Sequence, residues 1–292
     1  MKEQIKFVLA LGAVLLLLPC VLTVFLSGRG AVSFFGEEDL EGYVAAGTCL
    51  ALPFSGTEEM RKAQAVLIRS QFCTQTEAER QTRIEEITEQ ILKARKQPDF
   101  EKMYRLARKA ASDTKGEVLY WKGEVCSGAF HPVSAGKTRD GREVLQKEEY
   151  GYLKSVESPG DVQSPEYLSG KSFTPEELTE RLSGLLPGIT VTAEDLPKIT
   201  AAKTDSAGYV LELQIGDQIL PGETAAEALE LPSCCFTVQV LEGRIRFLCQ
   251  GVGHGMGMSQ YGAEQMALAG EDYREILAAY FPETEIRMDG GV

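Results

Sequence analysis

At 292 residues, 43% hydrophobic and with a net charge of −13, the chain is long enough for one large domain or two smaller ones with real cores, and disorder does not dominate it. The acidic balance argues against a sequence-independent grip on nucleic acid, and equally against holding acidic polymers by bulk charge. No nucleic-acid partner is expected.

Residues 7–26 (FVLALGAVLLLLPCVLTVFL) are free of charge. At about 1.5 Å of helical rise per residue this run is long enough to cross a bilayer. It reads as an uncleaved transmembrane anchor, because a signal-peptide apolar core runs to only about 7–15 residues and ends at a small-residue cleavage site. Lys2 and Lys6 precede the run and only Arg29 follows closely, which places the N terminus in the cytoplasm. The expected organisation is a cytoplasmic stretch 1–6, the anchor 7–26, a glycine-marked linker 27–37 and an extracytoplasmic domain 38–288, held at the cell membrane by a single pass.

Within that domain Leu40–Leu52 is mixed apolar and ends at Pro53. Thr57 can cap a helix whose first turn carries Glu58 and Glu59, matched to the positive end of the helix dipole. Met60, Ala63, Val66, Leu67 and Ser70 keep helical spacing to about Cys73. A second helix starts at Thr76, where Thr76 and Glu79 have capping-box spacing, and Pro98 stops it; a third runs from Asp99 to about Ser112. Strand chemistry begins at Gly116, with a hairpin turning at Lys122-Gly123. The polar, glycine-containing run His131–Glu143 and the irregular Tyr152–Leu168, with Pro159 and Pro165, read as long surface loop. Thr174-Pro175-Glu176-Glu177 opens a short helix, and 236–248 form a hairpin about Glu242-Gly243. Helices and strands are segregated, so the expected fold is α+β behind the N-terminal transmembrane helix.

That hairpin delivers the chain into Gly251–Ala263, where Gly253, Gly255 and Gly257 alternate around His254, one of only two histidines. Glycines let the backbone take positive φ or approach a ligand closely, and Ser259, Gln260 and Tyr261 add hydrogen-bonding side chains. Helical spacing then continues through Met266, Leu268, Ile276, Leu277 and Tyr280. Six cysteines lie beyond the apolar run, with no Cys-x-x-Cys pair, and buried free thiols are the simplest reading.

The loop Gly253–Ala263 (GHGMGMSQYGA) and the helix Glu59–Ser70 (EMRKAQAVLIRS) together resemble the stage II sporulation protein D family of membrane-anchored peptidoglycan lytic transglycosylases, which are related to amidase enhancers. The resemblance implies cleavage between N-acetylmuramic acid and N-acetylglucosamine by internal attack of the muramyl 6-hydroxyl. It also implies stage II sporulation proteins M and P as partners in septal thinning and engulfment. Such chemistry needs one carboxylic acid and no redox cofactor. The family's acid is a glutamate in a Glu-Met-Pro turn before the Lys-Ala-Gln-Ala helix, and here Ala51-Leu52-Pro53 stands in its place. Ala51 has no proton to give. Glu58 and Glu59 are the nearest substitutes, although both also suit a helix first turn. His254, Ser259, Gln260 and Tyr261 are expected to hold the glycan, with Gln64 and Arg69 bordering the groove or bracing helix against loop. Some family members hold zinc between a histidine and cysteines after the first hairpin; here His131 is followed by no cysteine through Glu143, so no metal is expected. Two functions stand: a transglycosylase with impaired or relocated catalysis, or a non-catalytic peptidoglycan-binding or scaffolding component.

Overall fold

A computed structural model describes residues 40–52 and 56–289. Four helices come first: α1 (Leu40–Ala51), α2 (Glu58–Thr74), α3 (Glu77–Ala94) and α4 (Phe100–Asp113). Their starts follow local chemistry. The Thr57 hydroxyl accepts the Met60 N–H at 3.3 Å, and Thr76 and Glu79 complete a reciprocal capping box at α3. The helices share a core that includes Val44, Ala46, Ile68, Phe72, Ile87, Ile91 and Phe100.

The anchor expected over residues 7–26 lies outside the described residues. Among those described, no helix is long and apolar enough to cross a membrane. The longest, α3, has 18 residues and buries only Ile87 and Ile91, its other faces carrying glutamates, lysine and arginines. Over the described residues the fold is corrected accordingly to α+β with no membrane-spanning helix, and the single-pass placement at the cell membrane has no support among them.

β1 (Glu117–Trp121) pairs with β2 (Glu124–Val125) across the expected turn, and on its other edge with the C-terminal strand β11 (Glu285–Met288), in register Glu117 with Met288. β3 (Phe130–His131) then runs parallel to β10 (Met258–Ser259), placing His131 opposite Ser259. After the short helix α5 (Gly141–Leu145) come β4 (Leu168–Phe173), α6 (Pro175–Leu182), β5 (Thr200–Thr204), β6 (Val210–Ile215), β7 (Gln218–Pro221), α7 (Gly222–Ala228), β8 (Phe236–Leu241) and β9 (Arg244–Gln250). They form two antiparallel three-stranded sheets, ordered β4-β9-β8 and β5-β6-β7, over their own core about Tyr209, Leu213, Phe236, Ile245 and Phe247. The chain returns through β10 to α8 (Gln260–Leu268) and α9 (Tyr273–Tyr280), which pack with α2 on a third cluster holding Met60, Ala63, Leu119, Met258, Ala263 and Ile276.

Two further expectations are corrected. The polar run after His131 is no surface loop: His131, Ser134, Thr138 and Arg139 are buried, because the glycine-histidine segment threads alongside through the bridges Val133–Val252 and Arg139–Met256. The apolar period from Met266 to Tyr280 is not one helix, since Gly270 takes φ +105° and separates α8 from α9. The six described cysteines are free thiols, five of them buried, as their spacing suggests.

Candidate functional site

The glycine-histidine segment is a tightly threaded strap. Gly251, Gly253, Gly255 and Gly257 all have positive φ, and at all four a side chain would also run into neighbours. A Cβ on Gly255 would lie 2.5 Å from the Tyr209 ring, and one on Gly257 only 2.2 Å from the Ala129 carbonyl oxygen. The strap is pinned from beneath by Arg139. The Arg139 backbone N–H donates to the Gly255 carbonyl at 2.9 Å, and its guanidinium donates to the His254 carbonyl at 3.0 Å, Asp205 at 2.6 Å and Glu223 at 2.7 Å. Arg139 and Asp205 are both buried, and the guanidinium lies 4.8 Å from the centre of the Tyr209 ring.

This arrangement sets two imidazoles side by side, with the ring centres of His131 and His254 5.6 Å apart. His131 is buried and its Nδ1 lies 3.0 Å from the Met256 carbonyl, so Nδ1 carries the proton and the Nε2 lone pair has no partner among the described residues. Burial first, and the neighbouring His254 second, push the His131 pKa down to about 3. His254 is exposed, and its Nδ1 accepts the Met256 N–H at 3.1 Å. Although its surface is open, the flanking loops partly desolvate the ring and hold its pKa below the ordinary value.

Both shifts have one consequence for stability. A histidine neutral when folded and protonated when unfolded makes the unfolded state bind more protons, so stability is full above about pH 6.5 and falls as pH drops. Between the carboxylate range and pH 6.5 we expect His131 to contribute a slope of up to ~1.4 kcal/mol per pH unit. Urea titrations of the protein and of His131→Gln across pH 4.5–7.5 measure it; an equal slope in both would contradict the assignment.

The other half of the site is built where α8 begins. Ser259 caps the helix, accepting the Gly262 N–H at 3.3 Å, while its hydroxyl donates to buried Asp161 at 2.7 Å. Asp161 also accepts from the Ser134 N–H at 3.0 Å and from the Ser134 hydroxyl. Ser259 is therefore committed inside the fold. Gln260 reaches the helical half: its Nε2 donates to the Ala51 carbonyl and to Gln64 Oε1, both at 3.0 Å. Ala51 ends α1, half-buried, and two fully buried polar atoms close to it, Thr48 Oγ1 and Gln64 Nε2, have no partner among the described residues. Thr48 lies one turn back on the same face of α1 as Ala51. Tyr261 is half-buried, its hydroxyl 3.3 Å from the Gln163 carbonyl.

Arg69 lies apart from this group. It is buried against Glu41 by two hydrogen bonds at 2.8 and 2.7 Å, and donates to the carbonyls of Glu117 and Ala111, bracing α2 against α1, α4 and β1. Glu58 is exposed and pairs with Lys109 at 2.6 Å and Lys62 at 3.2 Å; the hydrogen bond from Lys109 leads in holding its carboxyl below the usual range. That is the reverse of what a proton donor at neutral pH needs. Glu59 pairs with Lys62 at 2.7 Å and accepts the Tyr273 N–H at 3.0 Å.

Sequence reasoning missed Arg139, Asp161, Asp205 and Glu264. The Glu264 carboxylate, one turn beyond Gln260, accepts three hydrogen bonds from Thr57, at 3.0 and 2.8 Å from its N–H and 2.9 Å from its hydroxyl. It fastens the start of α2 to α8. A usable signal was the four-residue spacing of Gln260 and Glu264, which puts both on one helix face. Cys126, the cysteine nearest upstream of His131, sits in the central core with its thiol pushed up to about 12 by burial. Among the described residues no group of three histidine, cysteine or acidic side chains could hold a metal, whereas zinc takes four ligands in its structural sites and three protein ligands in its catalytic ones.

Comparison with known proteins gives related names. The chain is 28% identical over 260 residues to stage II sporulation protein D of Bacillus amyloliquefaciens, covering 85% of this chain and 74% of the relative. It is 33% identical over 178 residues to stage II sporulation protein D of Bacillus subtilis (strain 168), covering 61% of this chain and half of that protein. It is also 28% identical over 226 residues to the amidase enhancer of Bacillus subtilis, spanning 32% of that relative. No protein-family model matches the chain. These similarities support a relation to stage II sporulation protein D.

Proposed function

We propose that this protein is a sporulation protein of the stage II sporulation protein D kind, which engages the glycan strands of peptidoglycan and does not cleave them with a carboxylic acid of its own. Its names come from the relatives; its chemistry rests on one observation. The two signature segments, 196 residues apart at the Gln64–Gln260 hydrogen bond, meet at a point where α1 offers only the methyl group of Ala51. The exposed imidazole of His254 and the half-buried Tyr261 supply polar, flat-faced groups suited to sugar rings and hydroxyls. A lytic transglycosylase step needs a carboxyl group that protonates the leaving oxygen and then acts as base, typically worth about 100- to 10,000-fold. Glu58 is ion-paired, Glu59 is engaged by Lys62 and Tyr273, and Glu264 is saturated by Thr57. None offers that group in this arrangement. By the same resemblance, stage II sporulation proteins M and P are the partners we propose.

Incubation of the full chain with purified peptidoglycan, followed by mass spectrometry, tests this reading. The expected result is no anhydromuramyl product above background from the wild-type protein. Product is expected from Ala51→Glu, whose carboxyl group would enter a place where Thr48 Oγ1 and Gln64 Nε2 lack partners. Turnover by the wild-type chain would overturn the non-cleaving assignment.

A further inference from the structure

Arg139 holds two carboxylates, and only one of them is buried. Its Nε donates to Asp205, which is enclosed, while its Nη1 donates to Oε1 of Glu223, whose side chain is 58% exposed. One guanidinium against two carboxylates leaves a negative charge over, and Glu223 presents it at the surface. Its backbone is firmly seated: the preceding Gly222 packs so closely on β6 that a Cβ there would run into the Val210 carbonyl oxygen.

The nitrogen that donates to Glu223 at 2.7 Å also donates to the His254 carbonyl at 3.0 Å. Two acceptors sharing one nitrogen stand next to each other, so the Glu223 carboxylate flanks the strap at the residue whose imidazole is exposed. Burial lowers the His254 pKa, and the charge of Glu223 acts against it, as a carboxylate near the ring must. Oε2 of Glu223 accepts no hydrogen bond from the described residues, and Arg139 is its only ion-pair partner among them. A carboxylate oxygen held in place beside a flat ring and open to solvent is an acceptor for sugar hydroxyls and acetamido N–H groups. Its charge also excludes. The two sugars of peptidoglycan alternate, and N-acetylmuramic acid carries a lactyl group ending in a carboxyl where N-acetylglucosamine has a free 3-hydroxyl. The hydroxyl gives Glu223 a donor, whereas a lactyl carboxylate meets it as a like charge, and a built-in repulsion of that kind is one way a site rejects a close analogue.

We propose that Glu223 is a specificity-determining residue of the glycan site, which seats N-acetylglucosamine beside His254 and turns N-acetylmuramic acid away from that position. The assignment rests on the peptidoglycan reading above and adds to it the register in which the alternating strand lies on the strap.

The test titrates the full chain at pH 7 with four probes: the methyl β-glycosides of N-acetylglucosamine and of N-acetylmuramic acid, the latter with its lactyl carboxyl methyl-esterified, and chitotetraose. Binding is followed on the imidazole NMR signals, which are easily told apart because the chain has only two histidines and His131 is buried. We expect the wild-type protein to bind the N-acetylglucosamine glycoside about fivefold more tightly than the muramic acid glycoside at low salt, a gap that narrows as salt screens the charges. The methyl ester has the bulk of the acid without its charge, and should bind the wild-type protein as N-acetylglucosamine does. Glu223→Gln keeps an oxygen for Arg139 and removes the charge, and should close the gap. Equal binding of the two sugars by the wild-type protein, rejection of the ester as strongly as of the acid, or an undiminished gap in Glu223→Gln would overturn the assignment while leaving the sugar site standing. The ester arm needs no variant, so it decides the matter even if Glu223→Gln fails to fold. Chitotetraose that leaves the His254 signals unmoved would instead remove the peptidoglycan reading and the assignment with it.

Discussion

Replacing Arg139 by leucine lowers the free energy of unfolding by about 3–5 kcal/mol, the range for removing one partner of a buried ion pair. The size follows from what is left behind. Asp205 is buried, and its second oxygen accepts only the N–H groups of Ala207 and Tyr209 at 3.0 and 2.9 Å, so removing the guanidinium takes away the cation paired with its first oxygen. The change also releases the His254 carbonyl and the Glu223 carboxylate, and takes the cation from beside the Tyr209 ring. Three segments far apart in sequence meet at this side chain: the run after β3, the turn before β6, and the glycine-histidine strap. Loss of Arg139 should therefore loosen the strap as well as the sheet region. Urea denaturation of Arg139→Leu gives the number, and a loss under 1 kcal/mol would show that the pair does not hold these segments together.

Gly257→Ala is the second large effect, about 2–5 kcal/mol of destabilisation. An alanine at φ +71° incurs about 1–2 kcal/mol of backbone strain. The added methyl would also stand 2.2 Å from the Ala129 carbonyl oxygen, a backbone atom beside the β3–β10 pair that cannot rotate away as a side-chain tip could, and overpacking of this sort costs about 1–3 kcal/mol. Gly270→Ala provides the comparison, because its φ is also positive but no atom lies within 4 Å of the new methyl. The strain term alone should appear there. Equal losses at the two positions would refute the close-approach argument.

Local features were legible in the sequence because their causes are local. Thr57, Thr76 with Glu79, and Thr174 with Glu177 are helix caps in the fold as their spacing implies. The turn at Glu242-Gly243 joins β8 to β9 with both residues at positive φ. The same reasoning failed where polar groups satisfy one another over long separations. Composition makes 131–143 resemble a solvated loop, yet Arg139 finds Asp205 66 residues away and Ser259 finds Asp161 98 residues away. Ser259 had the look of a ligand-holding hydroxyl and is a buried helix cap, while Arg69, read as a groove border or a brace, acts as the brace. Gln64 and Gln260 do meet beside Ala51, which no periodicity could show. Glu264 escaped notice because a carboxylate in a helix interior has an ordinary solvated reading, and only the fold brings Thr57 to it.

The central claim, that the strap and the Gln64–Gln260 contact form a glycan-engaging site, is tested most directly by co-sedimentation of the full-length protein with purified sacculi. The wild-type protein is predicted to sediment saturably. His254→Ala/Tyr261→Ala, which removes two accessible polar groups and leaves the buried Gln64–Gln260 contact in place, is predicted to bind about tenfold more weakly or worse while remaining folded with a cooperative unfolding transition. Failure of the wild-type protein to sediment, or sedimentation unchanged in the double variant, would contradict the account.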